Sequence, residues 1–288
     1  MRIKLYDEYG AGNSGSVFDA FRDGALAAGD DIVHDYASAE CIVIWSILFA
    51  GRMAGNRDVF RKAKADKKII IVLEVGALNR GNSWKMGIGG INNDATWCEP
   101  YEADRASRVF GLEPKPWKDD GEFISIFGQR TDSYQWNHMP SMEEWMTDQI
   151  INVKKVSDRP IVIRPHPRDH INRYDFLTRF SDVYMDIPKK IAGSSSDASN
   201  HMELFERSHC IINESSGPSV QGVLAGIRVK AGKSSLAWDL SLKSFDEIEQ
   251  PIDKDPTEWL NRIAHTEFFN YEISSGLPWI NLKKKLSL

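Results

Sequence analysis

The chain has 288 residues, 42% of them hydrophobic and 27% charged, an ordinary globular composition that fits one large domain or two of common size. No apolar run approaches the roughly 18–20 residues that span a bilayer, and Met1-Arg2-Ile3-Lys4-Leu5 lacks the apolar centre of a signal peptide. The expected location is therefore cytoplasmic. Net charge is −5 with a pI near 5.8, so the chain lacks the overall basic footprint of a nucleic-acid binder, although a local basic patch is compatible with that average.

In chain order, a first strand is expected at Ile3–Tyr6. The loop that follows, from Asp7 to Gly15, has glycines that allow close backbone approach. Asp7 is a candidate base there, and Gly12 and Asn13 are candidates for the acceptor side. A helix over Phe18–Ala28 precedes a strand at Cys41–Ile44. Asn56–Ala65 carries Val59, Phe60 and Ala63 at helical spacing. Around it lie Arg52, Arg57, Arg61, Lys62, Lys64, Lys67 and Lys68, which form either a solvated helix face or a surface for a phosphate backbone.

The strand Ile69–Leu73 runs into Glu74-Val75-Gly76. A carboxylate at the carboxyl end of a buried strand is a candidate general base, so Glu74 leads that list. Asn79–Gly90, rich in glycine, asparagine and aromatic residues, reads as a loop. It lines an acceptor site through Arg80, Asn82, Trp84 and Lys85, or else is a structural Ω-loop. Asp94 is a further candidate base.

Gly111–Gly121 holds Pro114, Pro116, Asp119 and Asp120 around Trp117, which is linker chemistry. It separates an N-terminal domain at 1–115 from a C-terminal domain at 120–270, both expected to be Rossmann-like. A segment at 271–288 is expected to pack back on the first domain. The second half restarts β-α-β with Phe123–Phe127, a helix at Met142–Val153, and strands at Ile161–Arg164, Val183–Met185 and Cys210–Asn213. Most strands are continuous apolar runs, the mark of parallel strands covered on both faces. The expected fold is α/β, two Rossmann-like domains facing a cleft, with ligands beyond the carboxyl ends of the strands.

Three loops of the second half carry the chemistry. Phe127-Gly128-Gln129-Arg130 ends its first strand, where Gly128 permits close backbone approach and Gln129 can read a polar edge. Arg164-Pro165-His166-Pro167-Arg168 presents two arginines and a histidine on a proline-stiffened turn, a pattern that suits a phosphate. Asn213-Glu214-Ser215-Ser216-Gly217-Pro218-Ser219 joins a strand to a helix start. Exposed N–H groups and the helix dipole favour an anion there, and Glu214, Ser215, Ser216, Gly217 and Ser219 are donor-binding candidates. The cysteines Cys41, Cys98 and Cys210 lack metal-ligand spacing, and no essential metal is expected.

The pair His166-Pro167 and Ser215-Ser216 resembles the motifs of bacterial glycosyltransferases of the two-Rossmann GT-B type, above all capsule-polysaccharide-synthesis and sialyltransferase-like enzymes. The likeness is strongest over residues 120–280. It implies an acceptor-side domain at 1–115, a nucleotide-sugar-binding domain at 120–270, and a UDP- or CMP-sugar donor whose phosphate the His-Pro histidine and the serines contact, with His166 also a catalytic candidate that assists the leaving group. It also implies a base from the Glu-x-Gly element, here Glu74. The acceptor is either a surface or capsular glycan or a hydroxymethylpyrimidine of phage DNA. A sugar-nucleotide epimerase and a noncatalytic sugar-nucleotide-binding protein stay open on the same fold.

Overall fold

A computed structural model of the chain describes residues 1–168, 171–189 and 201–286. Residues 169–170, 190–200 and 287–288 lie outside that description, and with them short parts of the expected segments 120–270 and 271–288. The chain divides into two compact units. One takes Met1–Glu113, Asp132–Gln135 and Leu260–Leu288; the other takes Pro114–Thr131 and Trp136–Trp259. The chain thus re-enters the first unit at Leu260, earlier than the expected 271.

The strands in order are β1 (Arg2–Leu5), β2 (Asp31–Ile32), β3 (Cys41–Trp45), β4 (Ile69–Val75), β5 (Ser83–Ile88), β6 (Phe123–Phe127), β7 (Ile161–Arg164), β8 (Val183–Met185), β9 (Ser208–Asn213), β10 (Arg228–Ala231) and β11 (Glu267–Phe269). The helices are α1 (Gly15–Ala27), α2 (Asn56–Ala65), α3 (Arg105–Phe110), α4 (Met142–Lys154), α5 (His201–Arg207), α6 (Gly217–Leu224), α7 (Thr257–Ala264), α8 (Asn270–Ser274) and α9 (Leu277–Lys283). No helix among the described residues is long and apolar enough to cross a membrane.

In the first unit the sheet order is β11-β5-β4-β3-β1-β2. Strands β2, β1, β3 and β4 are parallel; β5 runs antiparallel to β4, and β11 antiparallel to β5. The apolar runs of β3 and β4 feed both faces. Cys41, Val43, Trp45, Ile71 and Leu73 pack with Phe18 and Phe21 of α1 and Trp279 of α9. Ile42, Ile44, Ile70 and Val72 pack with Phe60 and Ala63 of α2. The expected loop at 79–90 is, over Ser83–Ile88, a strand. Its period is two: Trp84 and Met86 enter the core, while Lys85 and Gly87 take the other face.

In the second unit the five strands among the described residues are all parallel, in the order β10-β9-β6-β7-β8. Ile124, Ile126, Ile161, Ile163, Cys210 and Ile212 bury against Trp145, Met146, Ile150 and Val153 of α4. That helix starts on a capping box: Ser141 Oγ accepts Glu144 N at 3.2 Å, and the Glu144 carboxylate accepts Ser141 N at 2.9 Å. The residues read as linker are not slack. Trp117 Nε1 donates to Lys254 O at 2.7 Å, and Lys118 N to Gly226 O at 2.7 Å, so Pro114–Gly121 is fastened to the second unit. The three cysteines are buried free thiols.

Candidate functional site

Parallel strands put all their carboxyl ends on one edge. In chain order the second unit's strands run 1 to 5 as β6, β7, β8, β9, β10, so the sheet has the 3-2-1-4-5 order of a Rossmann fold. Its switch point lies between β6 and β9, where the chain leaves neighbouring strands in opposite directions and a crevice opens.

The exit of β6 is packed tightly. A Cβ on Gly128 would come within 3.0 Å of Tyr174 Oη and 3.2 Å of His166 N, so glycine lets the β7 exit loop lie against it. The backbone approach expected at Gly128 is therefore made by the chain itself. Gln129, 4% exposed, spends its amide on the β9 exit: Nε2 donates to Ser215 Oγ at 3.0 Å, and Oε1 accepts Ser215 N at 3.0 Å. Gln129 and Ser215 thus brace the switch point, and neither side chain is displayed as expected. Arg130 follows, half-buried.

At the β9 exit, Asn213 Nδ2 bonds to Ser216 O at 3.3 Å and to Ser216 Oγ, which sets the extended backbone of Ser216 as N-cap of α6. Nothing lies within 4 Å of a Cβ built on Gly217, so the first turn of α6 opens outward there. Ser219 does not contribute. It is fully buried, its Oγ donating to Ser216 O at 3.1 Å and paired with Ser235 Oγ at 2.9 Å. Glu214 is half-buried, and a Cβ on Gly232 would collide with its carboxyl group. Burial pushes that carboxyl above the usual range, against the pull of a Trp145 hydrogen bond and the Lys230 charge.

At the β7 exit, Arg164 is 2% exposed and ion-paired to Asp186, just past β8. It stiffens the sheet edge and is not displayed to a ligand, contrary to the sequence reading. His166 and Arg168 remain on the outer loop. His166 Nδ1 accepts Arg168 N at 3.2 Å, so a neutral ring carries its proton on Nε2. A cavity of about 610 Å³ lies beside this edge, lined among others by Thr131, Trp136, Met139, Arg173 and Tyr174. The sequence reading singled out none of these. Tyr174, whose hydroxyl flanks Gly128, connects the cavity to the β6 exit.

In the first unit the order of β2, β1, β3 and β4 is 2-1-3-4, flavodoxin-like, with its switch point between β1 and β3. Asn56, fully buried and unnoticed in the sequence, bridges it: Nδ2 donates to Trp45 O at 2.7 Å and Tyr9 O at 3.2 Å. Just past β3, Ser46 and Phe49 take φ of +62° and +54°, strained values for non-glycine residues. Gly12 and Asn13 are exposed ahead of α1, and Arg80 and Asn82 on the turn between β4 and β5. Asp7 is exposed and lies 3.5 Å from Arg22.

Glu74 is half-buried near the carboxyl end of β4, where its Oε1 accepts Val75 N at 2.7 Å. Two other candidates are displaced. Trp84 is a core residue, 5% exposed, with its ring 5.7 Å from that of Trp45, and does not face an acceptor. Asp94 follows β5, which runs antiparallel. Ile88 lies opposite Ile71, and Gly89 N reaches Ile70 O at 2.8 Å. Asp94 therefore sits at the amino ends of the parallel strands, the edge opposite Glu74. No group of three or more His, Cys, Asp or Glu placed to hold a metal occurs among the described residues.

No family model matches the sequence, and no curated protein matches it. Solved structures do. The beta Kdo 2,4 transferase of Thermosulfurimonas dismutans KpsC is similar over 92% of this chain and 90% of its own, at 14% identity and a TM-score of 0.51. The beta Kdo 2,7 transferase of the same KpsC is similar over 97% and 99%, at 13% identity and a TM-score of 0.46. S. aureus MnaA, in its UDP co-structure, covers 100% and 96%, at 11% identity and 0.39. The chain has a GT-B-type α/β fold. At such identities the likeness speaks for the fold, and the chemistry has to come from the residues at the strand ends.

Proposed function

We propose that the protein is a glycosyltransferase that moves a sugar from a UDP- or CMP-sugar to a hydroxyl of a glycan. The observation that carries this reading is the second unit's carboxyl edge. Its His-Pro loop lies against Gly128, and the open start of α6 leaves the strand next to β6. A phosphate there would meet the N–H groups of Ser216 and Gly217, the positive end of α6 and the cationic Arg168. The His166 Nε2–H adds a donor. The resemblance of the fold to a Kdo transferase agrees with this reading.

In the reaction the acceptor oxygen attacks the anomeric carbon and the bond from that carbon to the phosphate oxygen breaks. Negative charge grows on the departing nucleotide phosphate, and these donors stabilise it. Glu74 takes the acceptor's proton. Arg80, Asn82, Gly12 and Asn13, on exposed turns at the carboxyl edge of the first unit, are the residues assigned to the acceptor. A glycan is favoured over DNA because the basic run around α2 is partly consumed: Lys62 pairs with Asp66 at 3.0 Å, and Lys62 and Lys68 both lie over the Tyr36 ring.

A thermal-shift panel of UDP-, CMP- and GDP-sugars tests the reading, followed by product analysis with glycan and hydroxymethylated DNA acceptors. Stabilisation by a pyrimidine nucleotide sugar, with sugar transferred to a glycan, is the expected outcome. A donor whose sugar is epimerised but never transferred would make the protein an epimerase. Transfer to DNA would replace the glycan, and no stabilisation by any nucleotide overturns the proposal.

A further inference from the structure

Lysines in the two sheets differ in what they offer a ligand. Lys85, expected at the acceptor, is 8% exposed within β5 and out of a ligand's reach. Lys233 is exposed just past β10, on the carboxyl edge that carries the donor loops, and the sequence reading passed over it. Its turn is tied at both ends to the turn between β9 and α6. Gly232 N donates to Glu214 O at 2.8 Å, and Ser235 Oγ pairs with Ser219 Oγ at 2.9 Å. Residues 232–235 therefore run beside residues 214–219, which brings Lys233 alongside the Ser216–Gly217 start of α6. The turn is also held from behind: Ser235 N reaches Gly232 O at 3.0 Å, Ala237 N reaches Ser235 Oγ at 3.1 Å, and Trp259 Nε1 donates to Leu236 O at 2.8 Å. A cation carried on a turn fixed in advance binds with less entropy lost.

The acid in this pair of turns, Glu214, is turned away from the start of α6. Its carboxyl group packs on Gly232 and takes a hydrogen bond from Trp145 of α4, the helix that covers Cys210 and Ile212. Helix α6 covers the opposite face of the sheet, where Gly222 abuts Ile211 and Val229. On the other flank of the α6 start stand the exits of β6 and β7, with Arg168 on the outer turn. A phosphate at Ser216 and Gly217 is thus flanked by one cation on each side. A CMP-sugar carries a single phosphate with a single negative charge, whereas a UDP-sugar carries two adjacent ones. Two cations about the α6 start match the second donor.

We propose that Lys233 is a donor-binding residue and that the donor is a nucleoside diphosphate sugar, its two phosphates lying across the start of α6 between Arg168 and Lys233. The inference rests on the reading of that helix start as the donor phosphate site. It adds the second cation and selects a UDP-sugar over a CMP-sugar. When the bond to the sugar breaks, the charge that grows on the outer phosphate lies within reach of a cation already in place.

Calorimetric titration with UDP, UMP, CDP and CMP tests this, because each pair differs by one phosphate on the same base. The parent should bind the diphosphates about tenfold or more tighter than the monophosphates, the scale of one further charge-assisted hydrogen bond. Lys233→Gln should remove most of that gap by weakening UDP and CDP, with UMP and CMP held within about twofold of the parent. Lys233→Arg should keep the gap. Both variants should melt with the parent, since Lys233 is exposed and its turn is fastened by its neighbours. A parent that binds mono- and diphosphates equally, or a gap that survives in Lys233→Gln, overturns the inference while leaving the donor site in place. A parent that binds none of the four nucleotides removes the donor site itself, and the assignment of Lys233 with it.

Discussion

Gln129 and Ser215 close on each other across the switch point of the second unit, two residues that leave neighbouring parallel strands 86 positions apart. The glutamine amide answers both the hydroxyl and the backbone N–H of the serine, and both residues are buried. The clasp sets where the Ser216–Gly217 turn points, and so how the start of α6 is presented.

Replacing Gln129 with leucine keeps the bulk and leaves the Ser215 N–H without its acceptor. A buried donor stranded in this way costs about 1–3 kcal/mol. Urea unfolding should show that loss, and nucleotide-sugar affinity should fall in the protein that remains folded. Unchanged affinity would mean that the clasp braces the sheet and has no hold on the α6 turn.

The two arginines of the His-Pro loop should part company. Arg164 is buried against Asp186, so Arg164→Ala should lose about 3 kcal/mol of stability, the lower end for a broken buried pair because Asp186 keeps some hydration. Arg168 is exposed on the outer turn. Arg168→Ala should fold normally and weaken donor binding by about 1.5–3 kcal/mol, the scale of a charged hydrogen bond. Calorimetric binding with parallel melts separates the two. If Arg164→Ala keeps its stability and loses the donor instead, the pairing with Asp186 gives way on binding and the sequence reading of Arg164 is restored.

That contrast shows what the sequence could carry. Strands such as Cys41–Trp45 and Phe123–Phe127 are apolar on both faces, so their parallel placement and the loops at their ends are legible locally. The fate of a side chain at a strand end is not. Arg164 turns inward because Asp186 waits 22 residues later, and Ser219 because Ser235 does so 16 residues later. Strand β5 is not legible as a strand because it alternates, with Lys85 and Gly87 breaking the apolar run, and its reversal is what carries Asp94 to the edge opposite Glu74. β11 is three residues long and begins on a buried glutamate whose donors lie in a turn 184–190 positions away.

The closing segment of the first unit offers a test through pH. Asp30 is 5% exposed and receives Trp279 Nε1 at 2.6 Å, Lys283 Nζ at 2.7 Å and the Met1 amino group at 2.9 Å. Helix α9 is thereby tied to the chain's first residue. Burial pushes the Asp30 carboxyl up, but the bonds from Lys283, the amino terminus and Trp279 outweigh it and hold the pKa below the ordinary aspartate value. A lowered folded-state pKa means that the unfolded chain binds the proton more readily. The stabilisation is therefore intact above the unfolded value of about 3.9 and drains away as pH falls through it toward the folded one. Asp30→Asn keeps the shape and removes the charge, so it should cost about 2 kcal/mol at neutral pH. The gap in Tm between the parent and this variant should be widest near pH 7 and shrink below about pH 4. A gap that is the same at pH 3 and pH 7 would show that the packing of Trp279, and not the charge on Asp30, holds the segment in place.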